Sequence, residues 1–340
     1  MQDSFGRTID YLRISLTDRC NLRCVYCMPE EGVHSLSHHD ILRLEEIETI
    51  VAAAANLGIK HIRLTGGEPL VRKGVVELVE HITQTPGIED VSLTTNGILL
   101  PVYAHDLKQA GLSRVNISLD SLDPKQYHTI TRRGALDDVF AGIEAAFEAG
   151  FEPVKLNTVV VRELNQDLYA FAELSKRWPL HVRFIEYMPM GSTAHNAICT
   201  WTEDDVIPVA EMIDTINTTA SKYNQPLLEP LNTNDLNKPT GWGPATYWRF
   251  PDARATVGFI SSVSQHFCAQ CNRLRLTADG KIRPCLFSDT EYDSKIILRD
   301  QTDGSCKESL EEFLLQAFTH KPQAHNHKIG TARQMSQVGG

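Results

Sequence analysis

The stretch Cys20-Asn-Leu-Arg-Cys24-Val-Tyr-Cys27 places three cysteines in C-x3-C-x2-C spacing directly after a strand-like run, residues 11–16. Three thiolates this close in sequence can converge on one soft metal centre, which favours an iron–sulfur cluster or zinc. Because no fourth cysteine lies nearby, a 4Fe–4S cluster bound here would keep one iron free for another ligand. Structural zinc sites are usually closed and often use paired C-x2-C elements, so the spacing favours the cluster over zinc.

The same spacing resembles the signature of the radical S-adenosylmethionine (SAM) superfamily. That resemblance implies a 4Fe–4S cluster held by Cys20, Cys24 and Cys27. It also implies that the open iron binds the amino and carboxylate groups of SAM.

Composition limits the function classes. The 340 residues can bury one large core or two moderate ones, with 42% hydrophobic and 22% charged residues. A formal net charge of −10 argues against nucleic-acid binding through global electrostatics. The apolar run 50–57 is too short to cross a bilayer, and residues 1–10 have no apolar signal-peptide core. We therefore expect a cytoplasmic protein with no membrane partner.

The cysteine distribution indicates metal binding. Six of the eight cysteines fall in two triplets with metal-ligand spacing, whereas Cys199 and Cys306 stand alone. In a large chain without a secretory signal, reduced thiols that serve metals explain this pattern better than disulfides.

Strand-like and helix-like segments alternate through the first half of the chain. The predicted strands are residues 12–16, 61–64, 90–94, 114–119, 154–161 and 182–186. Apolar residues at helical spacing, such as Ile47, Ile50, Val51 and Ala54, separate them. Six such units predict an α/β fold with a parallel sheet covered by helices.

The position of the reactive residues favours a barrel over a doubly wound sheet. No G-x-G-x-x-G follows the first strand, and candidate site residues follow many different strands. Six units rather than eight predict a partial (β/α)6 TIM-like barrel, the fold that the superfamily resemblance also implies. We assign residues 1–188 to it. Residues 189–340 form a second region, irregular over 189–250 apart from a helical run near 206–216, that closes the open side.

The segment Thr65-Gly66-Gly67-Glu68-Pro69 follows the second predicted strand. Paired glycines are expected to expose backbone N–H and C=O groups, and Pro69 stiffens the turn. By resemblance, this segment with Gly67 holds the amino group of SAM. Three further positions match residues that line SAM in the superfamily: Tyr26, Ser118 and Met188.

A second triplet comprises Cys268, Cys271 and Cys285. In the intervening Arg273-Leu-Arg275-Leu, a strand would put both arginines on one face, as an anion or base-edge receptor. A four-cysteine zinc or iron–sulfur site that recruits Cys306 remains the alternative.

Together the motifs resemble one family, the GTP 3′,8-cyclases of molybdenum cofactor biosynthesis (the MoaA family). The resemblance rests on both triplets, Thr-Asp-Arg before Cys20, the Gly-Gly-Glu-Pro segment, the Arg-Leu-Arg run and the C-terminal Gly339-Gly340. It implies a catalytic role for Arg273, Arg275, Gly339 and Gly340. The implied GTP contacts are Arg13, Arg63, Thr94, Lys155, Arg273 and Arg275, with Arg183 on the same wall.

Positively charged residues on predicted buried strands indicate a function independently of the family resemblance. A charge inside a parallel strand is costly unless it is paired or faces a wet site. Arg63 and Lys155 therefore indicate either a polar cavity or a buried salt bridge to Asp or Glu.

The resemblance also implies the reaction. A 5′-deoxyadenosyl radical from SAM removes the ribose 3′ hydrogen of GTP, and the product is (8S)-3′,8-cyclo-7,8-dihydroguanosine 5′-triphosphate. Two 4Fe–4S clusters are implied, the second bound to guanine. Implied partners are an electron donor such as flavodoxin and the downstream cyclic pyranopterin monophosphate synthase. The sequence does not determine the oligomeric state, and a homodimer is compatible with it.

Two other functional classes are alternatives to a GTP cyclase. A radical enzyme that modifies a peptide would leave the Arg-Leu-Arg run and the Gly-Gly tail unexplained. A non-catalytic zinc protein would be colourless, whereas an iron–sulfur protein is brown.

Overall fold

The computed structural model describes residues 1–33, 37, 39–189, 201–232, 235–299, 309–325 and 333–339. The strands in this part of the chain are β1 (Tyr11–Ser15), β2 (His61–Thr65), β3 (Asp90–Thr95), β4 (Arg114–Ser118), β5 (Val154–Val160), β6 (Leu180–Glu186), β7 (Glu229–Pro230), β8 (Thr246–Arg249), β9 (Val257–Ile260), β10 (Arg273–Leu276), β11 (Lys281–Arg283) and β12 (Tyr292–Asp293). The helices are α1 (Leu44–Asn56), α2 (Val75–Gln84), α3 (Leu100–Gln109), α4 (Pro124–Thr131), α5 (Leu136–Glu148), α6 (Leu168–Arg177), α7 (Val209–Lys222), α8 (Ser294–Arg299), α9 (Leu310–Thr319) and α10 (Met335–Val338).

These strands form one sheet, in the order β12-β11-β10-β1-β2-β3-β4-β5-β6-β9-β8-β7. Strands β1 to β6 are parallel and follow chain order. Strand β9 extends the sheet in parallel beyond β6, and β10 does so beyond β1. The predicted α/β fold with a parallel sheet is confirmed, and each predicted strand agrees with an observed one to within two residues.

The expectation of an irregular region over residues 189–250 is only partly right. Helix α7 is longer than the predicted helical run, and β8 is a regular strand that pairs with β9. Strand β8 forms an antiparallel pair with β9, and β9 in turn pairs with β6, which is distant in sequence. No local hydrophobic periodicity indicates this pairing. The C-terminal half therefore extends both edges of the sheet.

Apolar and polar residues alternate along the central strands, so one face of the sheet packs in the hydrophobic core and the other face is polar. On β1, Leu12 and Ile14 are buried in the main hydrophobic core, where Ile47 and Ile50 of α1 also lie. Arg13 lies between the two apolar residues and, by the period of two, points to the opposite face. The face turned away from the helices thus carries the polar side chains.

Helices in the described ranges are short. The longest, α7, has 14 residues. None combines the length and apolar character needed to cross a membrane.

Candidate active site

A single cavity runs along the polar face of the sheet, and both cysteine triplets line it. Cys20, Cys24 and Cys27 follow the carboxyl end of β1. Cys268 and Cys271 precede the amino end of β10, which is parallel to β1. The triplets therefore lie at opposite ends of the strands, and the five residues of β1 span roughly 17 Å.

The first triplet is held in place by the Gly-Gly-Glu-Pro segment. The N–H groups of Gly67 and Glu68 donate to the carbonyl oxygens of Thr17 and Arg19, at 2.7 and 2.8 Å. A Cβ at Gly67 would overlap the backbone of Arg19. The expectation that the paired glycines expose their N–H groups is wrong for Gly67, because its N–H binds the chain that leads into Cys20. Gly67 still lines the cavity.

Glu68 joins this segment to the next strand. Its buried carboxylate accepts hydrogen bonds from the N–H of Leu70 at 3.0 Å, the Thr95 hydroxyl at 2.8 Å and the N–H of Asn96 at 2.7 Å. Burial raises the pKa of Glu68 to about 7 despite these donors. The Asn96 amide in turn donates to the Asn21 side chain at 2.7 Å, inside the first triplet. The loop after β3 therefore helps to fix the cysteine loop.

The thiols of the first triplet are free and poorly solvated. Burial raises the pKa of Cys20 to about 11 and that of Cys27 to about 12, and it raises the pKa of Cys24 well above its usual value. Thiolates at such positions need a compensating cationic centre. The donor set thus fits iron.

The second triplet has a different electrostatic environment. Burial raises the pKa of the Cys271 thiol, but the charges of Lys321 and Arg273 outweigh it and bring the pKa down to about 7. Cys268 and Cys285 are free thiols as well. Within the described residues, no three Cys, His, Asp or Glu side chains converge closely enough to hold a single metal ion. In a 4Fe–4S cube, each thiolate binds a different iron.

Tyr26, Ser118 and Met188, the other predicted SAM-lining residues, line the same cavity. The Tyr26 hydroxyl donates to the carboxylate of Asp120 at 2.5 Å, and the N–H of Val159 donates to the same carboxylate at 2.9 Å. Burial raises the pKa of Asp120 to about 6. Sequence reasoning missed Asp120, although its place two residues beyond Ser118 on β4 could have indicated it.

Between the triplets lies a row of arginines. Arg13 pairs in register with Arg63 on β2 and with Arg275 on β10, so three guanidiniums extend from one level of the sheet. Burial lowers the pKa of Arg275 to about 9, and burial with the charges of Arg275 and Arg63 lowers that of Arg13. Among the described residues, neither Arg63 nor Arg275 forms a salt bridge. Such a row is suited to a polyanion.

Lys155 is buried but does not belong to the cavity lining. Its ammonium donates to the carbonyl oxygen of Thr240. Burial and the charges of Arg183 and Arg114 lower the pKa of Lys155 to about 5. The alternative of a salt bridge for Lys155 finds no partner among the described residues. Arg183 does line the cavity, and it donates to the Asn116 side chain at 2.6 Å.

The C-terminal tail enters this row. The carbonyl oxygen of Gly339 accepts hydrogen bonds from Arg13 at 3.0 Å and from Arg275 at 3.1 Å. Gly339 has a φ of +75°, and a Cβ there would lie 2.6 Å from the Thr65 hydroxyl oxygen. Only glycine fits this conformation and this space. Gly340, the other predicted tail residue, lies outside the described residues.

Several buried polar atoms facing the cavity find no hydrogen-bond partner in the described part of the chain. They include Thr94 Oγ1, Asn157 Oδ1 and Arg183 Nε. Buried polar atoms are normally satisfied, so these are positioned for a bound polar ligand.

Comparison with known proteins identifies the family. Residues 14–174 match the model of the Radical SAM superfamily, and residues 180–327 match the model described as Molybdenum Cofactor Synthesis C. The chain is 52% identical to the GTP 3′,8-cyclase of Pelotomaculum thermopropionicum and 48% identical to that of Desulforamulus reducens, over the full length of both chains in each case. The chain belongs to the GTP 3′,8-cyclase family.

Solved structures with low sequence identity to this chain share its fold. SuiB of Streptococcus suis has a TM-score of 0.59 at 15% identity, covering 93% of this chain and 67% of its own. Native anSMEcpe with bound AdoMet has a TM-score of 0.56 at 17% identity, covering 94% of this chain and 82% of its own. Both likenesses concern the fold alone.

Sequence reasoning missed several contacts of this cyclase family member. Lys321 donates to the Arg273 carbonyl, and Thr240 accepts a hydrogen bond from Lys155. Both residues come from segments with no recognisable motif, and they reach the site only through tertiary packing. Asn96 had a weak signal, because a polar residue directly after a parallel strand often faces a site.

Proposed function

We propose that this protein is a radical SAM enzyme that converts GTP to (8S)-3′,8-cyclo-7,8-dihydroguanosine 5′-triphosphate, the first step of molybdenum cofactor biosynthesis. One observation carries the proposal beyond family membership. A single cavity has a cysteine triplet at each end and a row of buried guanidiniums between them. A nucleotide triphosphate and SAM are ligands whose charges and sizes suit that arrangement.

In this proposal, Cys20, Cys24 and Cys27 hold the first 4Fe–4S cluster. When bound, the reduced cluster and SAM supply a 5′-deoxyadenosyl radical that removes the ribose 3′ hydrogen. The chain orients SAM: Gly67 offers a backbone acceptor to its amino group, and Ser118 and Met188 line it. Tyr26, fixed by its hydrogen bond to Asp120, lies near the adenine.

Cys268, Cys271 and Cys285 hold a second 4Fe–4S cluster that binds the guanine. Arg13, Arg63, Thr94, Arg273 and Arg275 contact GTP, and Arg183 adds to the same wall. Lys155 lies outside the cavity lining and acts on the nucleotide through its charge. Their chemistry supports this, because Arg63 and Arg275, which form no salt bridge with the described residues, would gain charged partners from a triphosphate. The unpaired Thr94 hydroxyl would gain an acceptor or donor.

Arg273, Arg275, Gly339 and Gly340 act in cyclisation. The tail excludes water from the arginine row, and its carbonyl holds Arg13 and Arg275 in one orientation. An aligned guanidinium pair loses little conformational entropy when the substrate binds.

We extend the proposal to the finer architecture. Residues 1–188 form a partial (β/α)6 TIM-like barrel, and residues 189–340 close its open side and carry the second cluster. The parallel pairing of β9 with β6 and of β10 with β1 supports this closure.

We assign the protein to the cytoplasm, where thiols stay reduced. Its partners are GTP, an electron donor such as flavodoxin, and a cyclic pyranopterin monophosphate synthase that consumes the product. Nucleic acid and membranes are not partners, and a homodimer is compatible with this function.

Anaerobic incubation with GTP, SAM and dithionite, followed by mass spectrometry of the products, tests the proposal. The expected products are 5′-deoxyadenosine, methionine and the cyclised nucleotide. A brown protein that cleaves SAM but returns GTP unchanged would exclude the cyclase activity, and a colourless zinc protein would exclude radical chemistry.

A further inference from the structure

Lys321 lies buried beside the second triplet, with 3% of its surface exposed. It follows α9, and its ammonium donates to the carbonyl oxygens of Arg273 and Pro284, both at 2.7 Å. Arg273 is two residues beyond Cys271, and Pro284 directly precedes Cys285. One ammonium therefore ties together the two chain segments that carry two of the three cysteines.

The ammonium also lies close enough to Cys271 and Cys285 for its charge to act on both sulfurs, and all three residues line the same cavity. Among the described residues, no Asp or Glu forms a salt bridge with Lys321. A buried cation of this kind needs an anion, and the thiolates of a bound cluster would provide one.

Arg7, near the other end of the chain, binds the backbone of Cys268, the third cysteine of the second triplet. Its guanidinium donates to the carbonyl oxygens of Cys268 at 2.8 Å and Pro322 at 2.7 Å. Asp3 pairs with Arg7 at 2.6 Å and neutralises it. Lys321 thus differs from Arg7, because Lys321 brings a net positive charge to the triplet.

We propose that Lys321 is a positioning residue of the second iron–sulfur cluster, a role that rests on the proposed function. Its ammonium fixes the Arg273 and Pro284 carbonyls so that Cys271 and Cys285 face one cluster. Its position near Cys271 and Cys285 also places positive charge beside that cluster. Outer hydrogen bonds and charges of this kind set cluster affinity and reduction potential, and a cation favours the reduced, more negative state.

Two substitutions separate the roles of contact and charge. Lys321→Met removes both the donors and the charge, whereas Lys321→Gln removes the charge and keeps two amide N–H donors on a slightly shorter side chain. Lys281→Met is the matched control, because Lys281 lies on neighbouring β11 and pairs with Asp293 at 2.6 Å instead. The full-length protein is reconstituted anaerobically with iron and sulfide. Iron content and an EPR-monitored redox titration are then measured with and without SAM.

Wild type and Lys281→Met should bind about eight irons per chain, with one cluster signal that changes on SAM addition and one that does not. Lys321→Met should bind about four irons and lose only the SAM-insensitive signal, while the SAM-sensitive signal shows that the chain has folded. Lys321→Gln should keep about eight irons, with the potential of the SAM-insensitive cluster moved to a more negative value.

Wild-type iron content in Lys321→Met, together with an unshifted potential in Lys321→Gln, would overturn the positioning role while leaving the second cluster in place. A wild-type protein with only about four irons and a single SAM-sensitive signal would instead overturn the second cluster, and the role of Lys321 with it.

Discussion

Arg13 on β1 and Arg275 on β10 lie in register, and both donate to the carbonyl oxygen of Gly339, at 3.0 and 3.1 Å. The last turn of the chain is thereby tied to two strands at the middle of the cavity. The Gly339 carbonyl is therefore held by two buried guanidiniums, and the functional importance of this contact can be tested by mutation.

The tail contact predicts that Gly339→Ala impairs cyclisation. The new Cβ would lie 2.6 Å from the Thr65 hydroxyl oxygen and would occupy a backbone conformation with φ of +75°. We expect the tail to leave the arginine row and cyclisation of GTP to fall at least tenfold, equivalent to about 1.4 kcal/mol. Both clusters should be retained. Product formation under anaerobic turnover measures this.

Gly150→Ala is the matched control. Gly150 has a φ of +77°, but a Cβ there would meet no atom within 4 Å. Its variant carries the same backbone strain far from the cavity and should cyclise GTP at the wild-type rate. Equal activity of the Gly339 and Gly150 variants would show that the tail is ordinary frayed chain. Deleting residues 339–340 should have the same effect as Gly339→Ala.

The two triplets should be separable by mutation. Cys24→Ala removes a ligand of the first cluster, so reductive cleavage of SAM should be lost. Cys271→Ala should keep cleavage that is uncoupled from GTP, with about half of the iron, because the triplets lie at opposite ends of the strands. Iron analysis and 5′-deoxyadenosine release measure these outcomes. A folded Cys271 variant with an intact first cluster and no cleavage would contradict the separation.

Arg273 and Arg275 should contribute to GTP affinity. A charge-assisted contact contributes about 1.5–3 kcal/mol, so replacing either by Ala should weaken GTP binding roughly ten- to a hundredfold. Equilibrium binding to the anaerobic protein measures this, with SAM binding as an internal check. Arg162→Ala is the control, because Arg162 pairs with Glu211 at the surface. Unchanged affinity in both cavity variants would make these arginines structural.

Lys155 should make GTP binding pH-dependent. Its pKa of about 5 leaves it neutral at pH 7 without nucleotide. A nearby triphosphate favours the ammonium and raises this pKa, so binding takes up a proton at pH values between the free and bound pKa. We expect GTP affinity to rise as the pH falls from 8 towards 5, and calorimetry in buffers of different ionisation enthalpy to show proton uptake.

Lys155→Met should abolish that uptake, whereas Lys176→Met should preserve it. Lys176 is a partly buried lysine on α6, and it lies near the carboxylate of Asp252. Proton uptake that is the same in the Lys155 variant and in wild type would assign the linkage to another group.

Local sequence was sufficient for the central strands and for the residues on them. Arg13 and Arg63 could be placed on one face because each lies between apolar residues on a buried strand. The period of two also predicted that Arg273 and Arg275 share a face, and Leu274 and Leu276 of β10 do lie in the core.

Long-range packing was not predictable. No pattern indicates that β10 pairs in parallel with β1, which puts the second triplet opposite the first. The lysine contacts depend on loops: Lys155 meets Thr240, and Lys321 meets Pro284. The Gly-Gly motif was located correctly, but its N–H groups proved to be bound to residues 17 and 19. Hydrogen-bond partners are chosen by tertiary structure, whereas a motif gives only residue types.

The most direct test of the central claim uses GTP carrying deuterium only at C3′. After anaerobic turnover with SAM and dithionite, mass spectrometry follows the label. If the radical removes the 3′ hydrogen inside this cavity, deuterium appears in 5′-deoxyadenosine and the cyclised nucleotide has lost it. Cyclised nucleotide that retains the 3′ deuterium, or cyclised nucleotide that forms while no deuterium appears in 5′-deoxyadenosine, would contradict the account.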